Sequence, residues 1–291
     1  MHQYLKAIGF SKIQTKKAET HLLDQVEDTF SHQTIVSYNT EADFCEYEKE
    51  FAENIGITVC GEMDESEFFE REYYFPYFRG KGITSYSDIV VERRIEKEMY
   101  VGVCEDVRIG ISLIFHLQNG IEYMKELQLG TVETQATTVT LSGLALSGKI
   151  LFPVMKNENQ VKNKKEETEN RMSLLSAARQ GDQTAIETLT LDDIDIYSQV
   201  SRRLIKEDLF SIVDTYFMPY GVECDQYSIL GEILDIKKVT NFITGVELYQ
   251  MALNVNELHF DVCVPVSEVM GEPQVGRRFK ATIWLQGFIN F

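Results

Sequence analysis

The chain has 291 residues, 44% of them apolar and 25% charged, and carries a net charge of −18. That length and apolar content give room for two cores and argue against extensive disorder. So acidic a surface repels phosphate backbones and anionic membranes, and apolar runs such as ISLIF at 111–115 fall far short of the ~20 residues of a spanning helix.

The opening MHQYLKAIGFSKIQ holds no apolar stretch of signal length. Cys45, Cys60, Cys104, Cys224 and Cys263 are scattered without a C-x-x-C pair, which suits reduced thiols and a cytoplasmic setting. Ala18, Leu22, Val26 and Phe30, with Leu23 beside them, predict a helix over 14–30. Phe44, Tyr47, Phe51 and Ile55 behind a Thr40 cap predict a second over 41–55. The acid is concentrated here, with 12 Asp/Glu against 2 Lys/Arg in residues 41–72.

From 57 onward the period falls to two, and 57–62, 70–78, 89–105 and 107–118 read as antiparallel strands. Within EREYYFPYFRGKG (70–82), Tyr73, Phe75 and Tyr77 fall on one face and Tyr74, Pro76 and Phe78 on the other. Pro76 cannot donate to a ladder, so the segment reads as a sheet edge. Tyr74 and Phe78 are candidate binding residues of an aromatic edge able to receive a partner strand, and Arg79 and Lys81 are expected to answer the acids at 62–72. GIEYMKELQL predicts a short helix, and strand character returns before 155. Residues 1–155 thus read as an α+β domain, helices first and then a largely antiparallel sheet.

KNENQVKNKKEETENR (156–171), with Val161 its one apolar residue, reads as a flexible linker. Residues 172–291 then read as a helical subdomain followed by a small β-barrel. Gly181 stops one helix, Asp182 caps the next, and Thr190 with Asp193 resembles a capping box for a third. From Tyr227 the strand-sized segments between Asn/Gly turns have the cadence of an OB-type barrel.

Three sets of residues could carry chemistry. On a strand, His259, Asp261 and Cys263 share one face while Phe260, Val262 and Val264 face the core, which assembles the parts of a thiol centre. The i, i+2 spacing of nearly ~7 Å is too long for direct proton sharing, so a mixed solvent-facing strand is the plainer reading. Arg277, Arg278 and Lys280, with Lys237 and Lys238, make basic spots that could serve a nucleic-acid-binding barrel, against the acidic balance of the region. His116, on an apolar strand, reads as a satisfied histidine near a strand end. The sequence holds no P-loop, G-x-G-x-x-G, G-x-S-x-G or H-E-x-x-H pattern, and it suggests no metal site and no cofactor.

MHQYLKAIGFS, TYFMPYGVECDQYSILGEI (215–233) and the GEPQVGRRF and ATIWLQG phrases around 271–287 together resemble a domain-of-unknown-function family of cytosolic proteins from anaerobic Gram-positive bacteria. The resemblance covers nearly the whole chain and implies bacterial origin, with no activity and no catalytic residues attached. The expected function is a non-catalytic binding or protein-interaction module with a protein or peptide partner. The alternatives are an enzyme with an interdomain pocket or thiol centre, and single-stranded nucleic-acid binding by the barrel.

Overall fold

A computed structural model describes residues 2–37, 42–93, 99–106, 108–131, 137–154, 170–178, 180–205 and 207–291. Most of the expected linker, 156–171, lies outside the described residues. The chain opens with a 3-10 turn, Gln3–Ile8, ended by Gly9 at φ +97°. Helix α1, Lys16–Asp28, follows and is capped by Thr15, whose hydroxyl accepts from the Ala18 amide. Its buried stripe is Leu22, Leu23 and Val26 as expected, whereas Phe30 is exposed.

Strands β1 (His32–Ser37), β2 (Ala42–Ala52), β3 (Ile55–Asp64) and β4 (Phe69–Phe78) form an antiparallel meander in that order. The helix predicted over 41–55 is therefore strand β2. Phe44 and Phe51 are both buried although their spacing is odd, because a bulge between Glu50 and Ala52 shifts the register between them. Glu46 and Glu48 lie buried on the same face as Phe44, so two acids of the block point inward.

The larger sheet contains β5 (Ile89–Arg93), β6 (Tyr100–Glu105), β7 (Ser112–Leu117), β8 (Thr138–Leu151), β9 (Tyr216–Pro219), β10 (Gln226–Thr240), β11 (Glu247–Val255), β12 (Leu258–Pro265), β13 (Val269–Met270) and β14 (Arg278–Asn290). Its pairings are mixed, since β8 runs parallel to β12 and β7 parallel to β14. Five of the strands close a circuit, β8–β12–β11–β10–β14 and back to β8. The circuit joins β8, before the polar segment, to strands after it, so the sheet runs across the expected boundary at 156–171. Helix α2, Gly120–Leu129, connects β7 to β8 by way of a Gly130 cap.

Helices α3 (170–178), α4 (Gln183–Leu204) and α5 (Leu209–Ile212) follow. Gly181 and Asp182 separate α3 from α4 as predicted, and the Asp182 carboxylate accepts from the Thr184 and Ala185 amides. No third helix begins at Thr190. The α4 helix runs unbroken through Asp192 and Asp193, and the Thr190 hydroxyl donates to the Ile186 carbonyl within it. Among the described residues no helix is long and apolar enough to cross a membrane.

Two cores result. One, with Ile229, Met251, Val262, Phe279 and Ile283, lies on the inner face of the strand circuit. The other lies between the meander, α1, the 3-10 turn and the outer face of the circuit, which contributes Leu144, Leu248, Cys263 and Trp284.

The two sheets meet along the outer edge of β4. Backbone groups of Pro76 and Phe78 there point away from β3 and are buried, so each needs a partner. Side chains supply them. Gln286 donates to the Pro76 carbonyl at 2.8 Å and accepts from the Phe78 amide at 3.1 Å. Gln118 and Ser142 both donate to the Phe78 carbonyl, and Gln118 also donates to Gln286. Asp261 accepts from the Lys81 amide at 2.6 Å. Register explains the row: Asp261 pairs Ser142 across β12 and β8, and Ser142 pairs Gln286 across β8 and β14. At Gly80 a Cβ would come within 2.7 Å of the Leu141 carbonyl oxygen, so glycine lets the chain lie this close.

Replacing Gln286 by leucine keeps the side-chain volume but strands the buried amide of Phe78 and carbonyl of Pro76. The expected loss is about 3 kcal/mol of unfolding free energy in urea titration. Gln274→Leu, at an exposed loop position, is expected to stay within about 0.5 kcal/mol of the parent.

Candidate functional site

The residues singled out from sequence fall in separate places. On β12, His259 is exposed, Asp261 belongs to the clasp beneath residues 76–81, and Cys263 is fully buried with its thiol donating to the Ala7 carbonyl. Burial pushes the Cys263 thiol far above its usual range, which is the reverse of what a thiolate nucleophile needs. Burial also raises the Asp261 carboxyl, offset in part by the Lys81 amide and ammonium. This face is therefore mixed: His259 meets solvent, Asp261 serves a backbone amide, and Cys263 lies beneath the 3-10 turn. Cys224 is the exposed cysteine; the other four are buried.

The basic spots are occupied from within. Arg278 is 4% exposed and donates to the backbone carbonyls of Phe152, Phe210, Val213 and Asp214, tying the helical segment to β14. Arg277 donates to the Glu272 carbonyl and lies over the Phe152 ring, and the Lys280 ammonium lies 4.2 Å from the Phe210 ring centre. Lys237 pairs with Glu53 and Lys238 with Glu247.

On β4, Phe78 is 2% exposed and its edge is closed by the clasp, so it does not offer a strand-receiving surface. Arg79 pairs with Glu48 and Lys81 with Glu53, both on or beside β2, in place of the acids at 62–72. Among the described residues no group of three His, Cys, Asp or Glu is placed to hold a metal ion.

Tyr74 belongs to a different arrangement. Its hydroxyl donates to Glu19 of α1 and accepts from the His2 amide at 2.8 Å. This ties the first residues against β4 and frames a pocket of about 320 Å³ lined by His2, Gln3, Tyr4, Tyr74, Phe75, Met99, His116, Glu223, Asp225, Gln226 and Trp284. Trp284 sits at its centre. The Tyr4 ring lies 5.3 Å away and nearly parallel at 24°, His2 lies at 4.7 Å and His116 at 5.0 Å, and Phe75 meets His116 edge-on at 4.3 Å. The Trp284 indole N–H donates to Asp225 Oδ2 at 2.9 Å. Trp284 and Gln286 are two apart on one strand and share a face, so pocket and clasp rest on the same surface of β14.

Burial pushes the His2 imidazole down to about 4, helped by the nearby amino terminus, so it is neutral at physiological pH. Burial, reinforced by Asp225 and Glu223, holds the Tyr4 phenol well above its usual range, and burial with Glu19 does the same for Tyr74. The pocket therefore offers ring faces, neutral hydroxyls and two acids. Gln3, Tyr4 and Gln226 also line a second, neighbouring cavity of about 620 Å³ that reaches Ser147, Lys149, Ser228, Met270 and Lys280, and the two together form a groove. Met218, Tyr220, Val222 and Met270, each more than half exposed, lie on or beside this groove.

Sequence reasoning placed Tyr74 among the candidates and missed His2, Tyr4, Asp225 and Trp284. These come from three segments far apart in the chain, and the one local signal was a lone tryptophan within ATIWLQG.

These features define an α+β protein in which a four-stranded antiparallel meander is docked on a larger mixed sheet, with an aromatic and acidic groove beside the joint. The chain belongs to the family described as "Domain of unknown function, E. rectale Gene description (DUF3881)", which it matches over residues 5–287. No curated protein and no solved structure matches it.

A separate acidic cluster lies inside the meander. Glu46 is buried next to Glu48, and the Cys60 thiol donates to it at 3.8 Å. Burial first, and Glu48 second, raise the Glu46 carboxyl from 4.5 to about 8, while the Arg79 guanidinium opposes the shift. The folded chain thus keeps a proton that the unfolded chain releases, so folding weakens as pH rises from the ordinary carboxylate range toward 8, by up to about 1.4 kcal/mol per pH unit. Glu46→Gln should show little of that slope. Urea unfolding of both chains is expected to find the variant's advantage larger at about pH 8 than at about pH 5; an equal difference at both would contradict the assignment.

Proposed function

We propose that this chain is a non-catalytic binding protein whose groove around Tyr4 and Trp284 seats a segment of a protein or peptide partner. The observation that carries the reading is the groove itself, an aromatic pocket that shares Gln3, Tyr4 and Gln226 with a larger neighbouring cavity, with exposed Met218, Tyr220, Val222 and Met270 on or beside its rim. Exposed apolar side chains beside a concave surface favour contact with another molecule. The polar groups that sequence offered for chemistry are engaged elsewhere, in the clasp, in the core and in anchoring the helical segment.

The reading is tested with the intact chain as bait in an extract of the organism that carries it, beside a Val222→Asp/Met270→Asp variant whose changes lie on the exposed border. The parent is expected to retain a stoichiometric partner at physiological ionic strength and the variant to lose it. Equal retention by both, or none by a folded parent, would overturn the reading.

A further inference from the structure

Resting on that reading, we propose that the Trp284 end of the groove recognises an alkylammonium group, carried on a lysine side chain of the partner or by a free amine. The argument starts with the rings. Trp284, Tyr4, Tyr74, Phe75 and two histidines surround a space of about 320 Å³, at the small end of ligand pockets. The faces of Trp and Tyr attract cations through their quadrupole, most strongly where water is excluded.

The charges select the same sign. Glu223 and Asp225 line the space, no lysine or arginine is among the described residues of its lining, and Glu19 stands behind Tyr74. At longer range the net charge of −18 draws cations toward the protein.

Geometry favours ammonium over guanidinium. Asp225 Oδ2 already accepts the Trp284 indole N–H, so a guanidinium fork gripping both oxygens there would have to share that oxygen with the indole. A compact ammonium with three rotatable donors needs one oxygen and can share its remaining contacts with ring faces. The half-exposed opening at Glu223 suits a long alkyl stem entering from solvent with its charge leading, as a lysine side chain does.

Trp284 is the one tryptophan of the chain, so its emission reports this pocket alone. The full-length protein is titrated with N-acetyl-lysine amide, its trimethyl-lysine counterpart and spermidine, and in parallel with N-acetyl-norleucine amide and N-acetyl-arginine amide at matched ionic strength. The ammonium probes are expected to give a saturable change and to bind at least about tenfold more tightly than the norleucine and arginine probes. Glu223→Gln, at an exposed position, is expected to weaken them about tenfold and leave norleucine unaffected. Tighter binding of the lysine amides assigns the group to a partner's side chain, and tighter binding of spermidine assigns it to a free amine. Equal binding of norleucine or arginine would overturn the ammonium inference while the groove stands as a binding site. Silence of every probe up to about 10 mM would overturn the inference, and together with no partner captured by the parent chain it would sink the binding reading as well.

Discussion

The outer edge of β4 has to be satisfied by something other than a strand. Pro76 and Phe78 present buried backbone groups on that side, and a buried unpaired amide or carbonyl costs about 1–3 kcal/mol. Gln286 answers with both atoms of its amide, donating to one residue and accepting from the next but one, as a neighbouring strand would. Gln118, Ser142 and Asp261 extend the same service along residues 78–81. The meander is thereby fixed to the larger sheet at one height, and its aromatic residues Tyr74 and Phe75 are set opposite Trp284 and His116. The Trp284 pocket follows from the docking, because Tyr74 and Phe75 of the meander face it from one side and His116, Gln226 and Trp284 of the larger sheet from the other.

Other places where backbone pairing stops are finished by side chains too. Asn119 follows the end of β7 and exchanges two hydrogen bonds with Ile289 of β14, and Asn241 donates to the Ile8 carbonyl while accepting from the Ile243 and Thr244 amides. Arg278 collects four carbonyls around residues 152 and 210–214. A cation so used is desolvated, and burial lowers its pKa. Charged and amide groups that look like binding chemistry in a linear reading are thus spent on holding segments together, and the acid that remains at the surface gives the protein its long-range field.

Where local physics decided the outcome, the sequence was legible. The Gly181–Asp182 break before α4 and the edge position signalled by Pro76 each rest on one or two residues whose backbone demands are the same in any context. Residues 41–55 misled because Phe44, Tyr47, Phe51 and Ile55 match a helical period, while a bulge lets a strand bury the same phenylalanines, and inward-facing Glu46 and Glu48 break the alternation by which a strand is recognised. Thr190 and Asp193 imitate a cap although the helix continues through them, since tertiary context overrides a weak local preference. The His259, Asp261 and Cys263 alternation was real, but along that face only His259 is exposed, and only the register between β12, β8 and β14 shows what Asp261 serves. The groove could not be read from sequence at all, because its walls are assembled from segments more than 200 residues apart.

The central claim is that the two sheets form one unit through the clasp, with Trp284 beside it. Equilibrium unfolding in urea, followed in the same samples by Trp284 emission and by the far-ultraviolet circular dichroism of the strands, tests this most directly. Superimposable transitions with one midpoint are predicted. A tryptophan transition completed while most strand signal persists would show the sheets parting on their own, and would contradict the account.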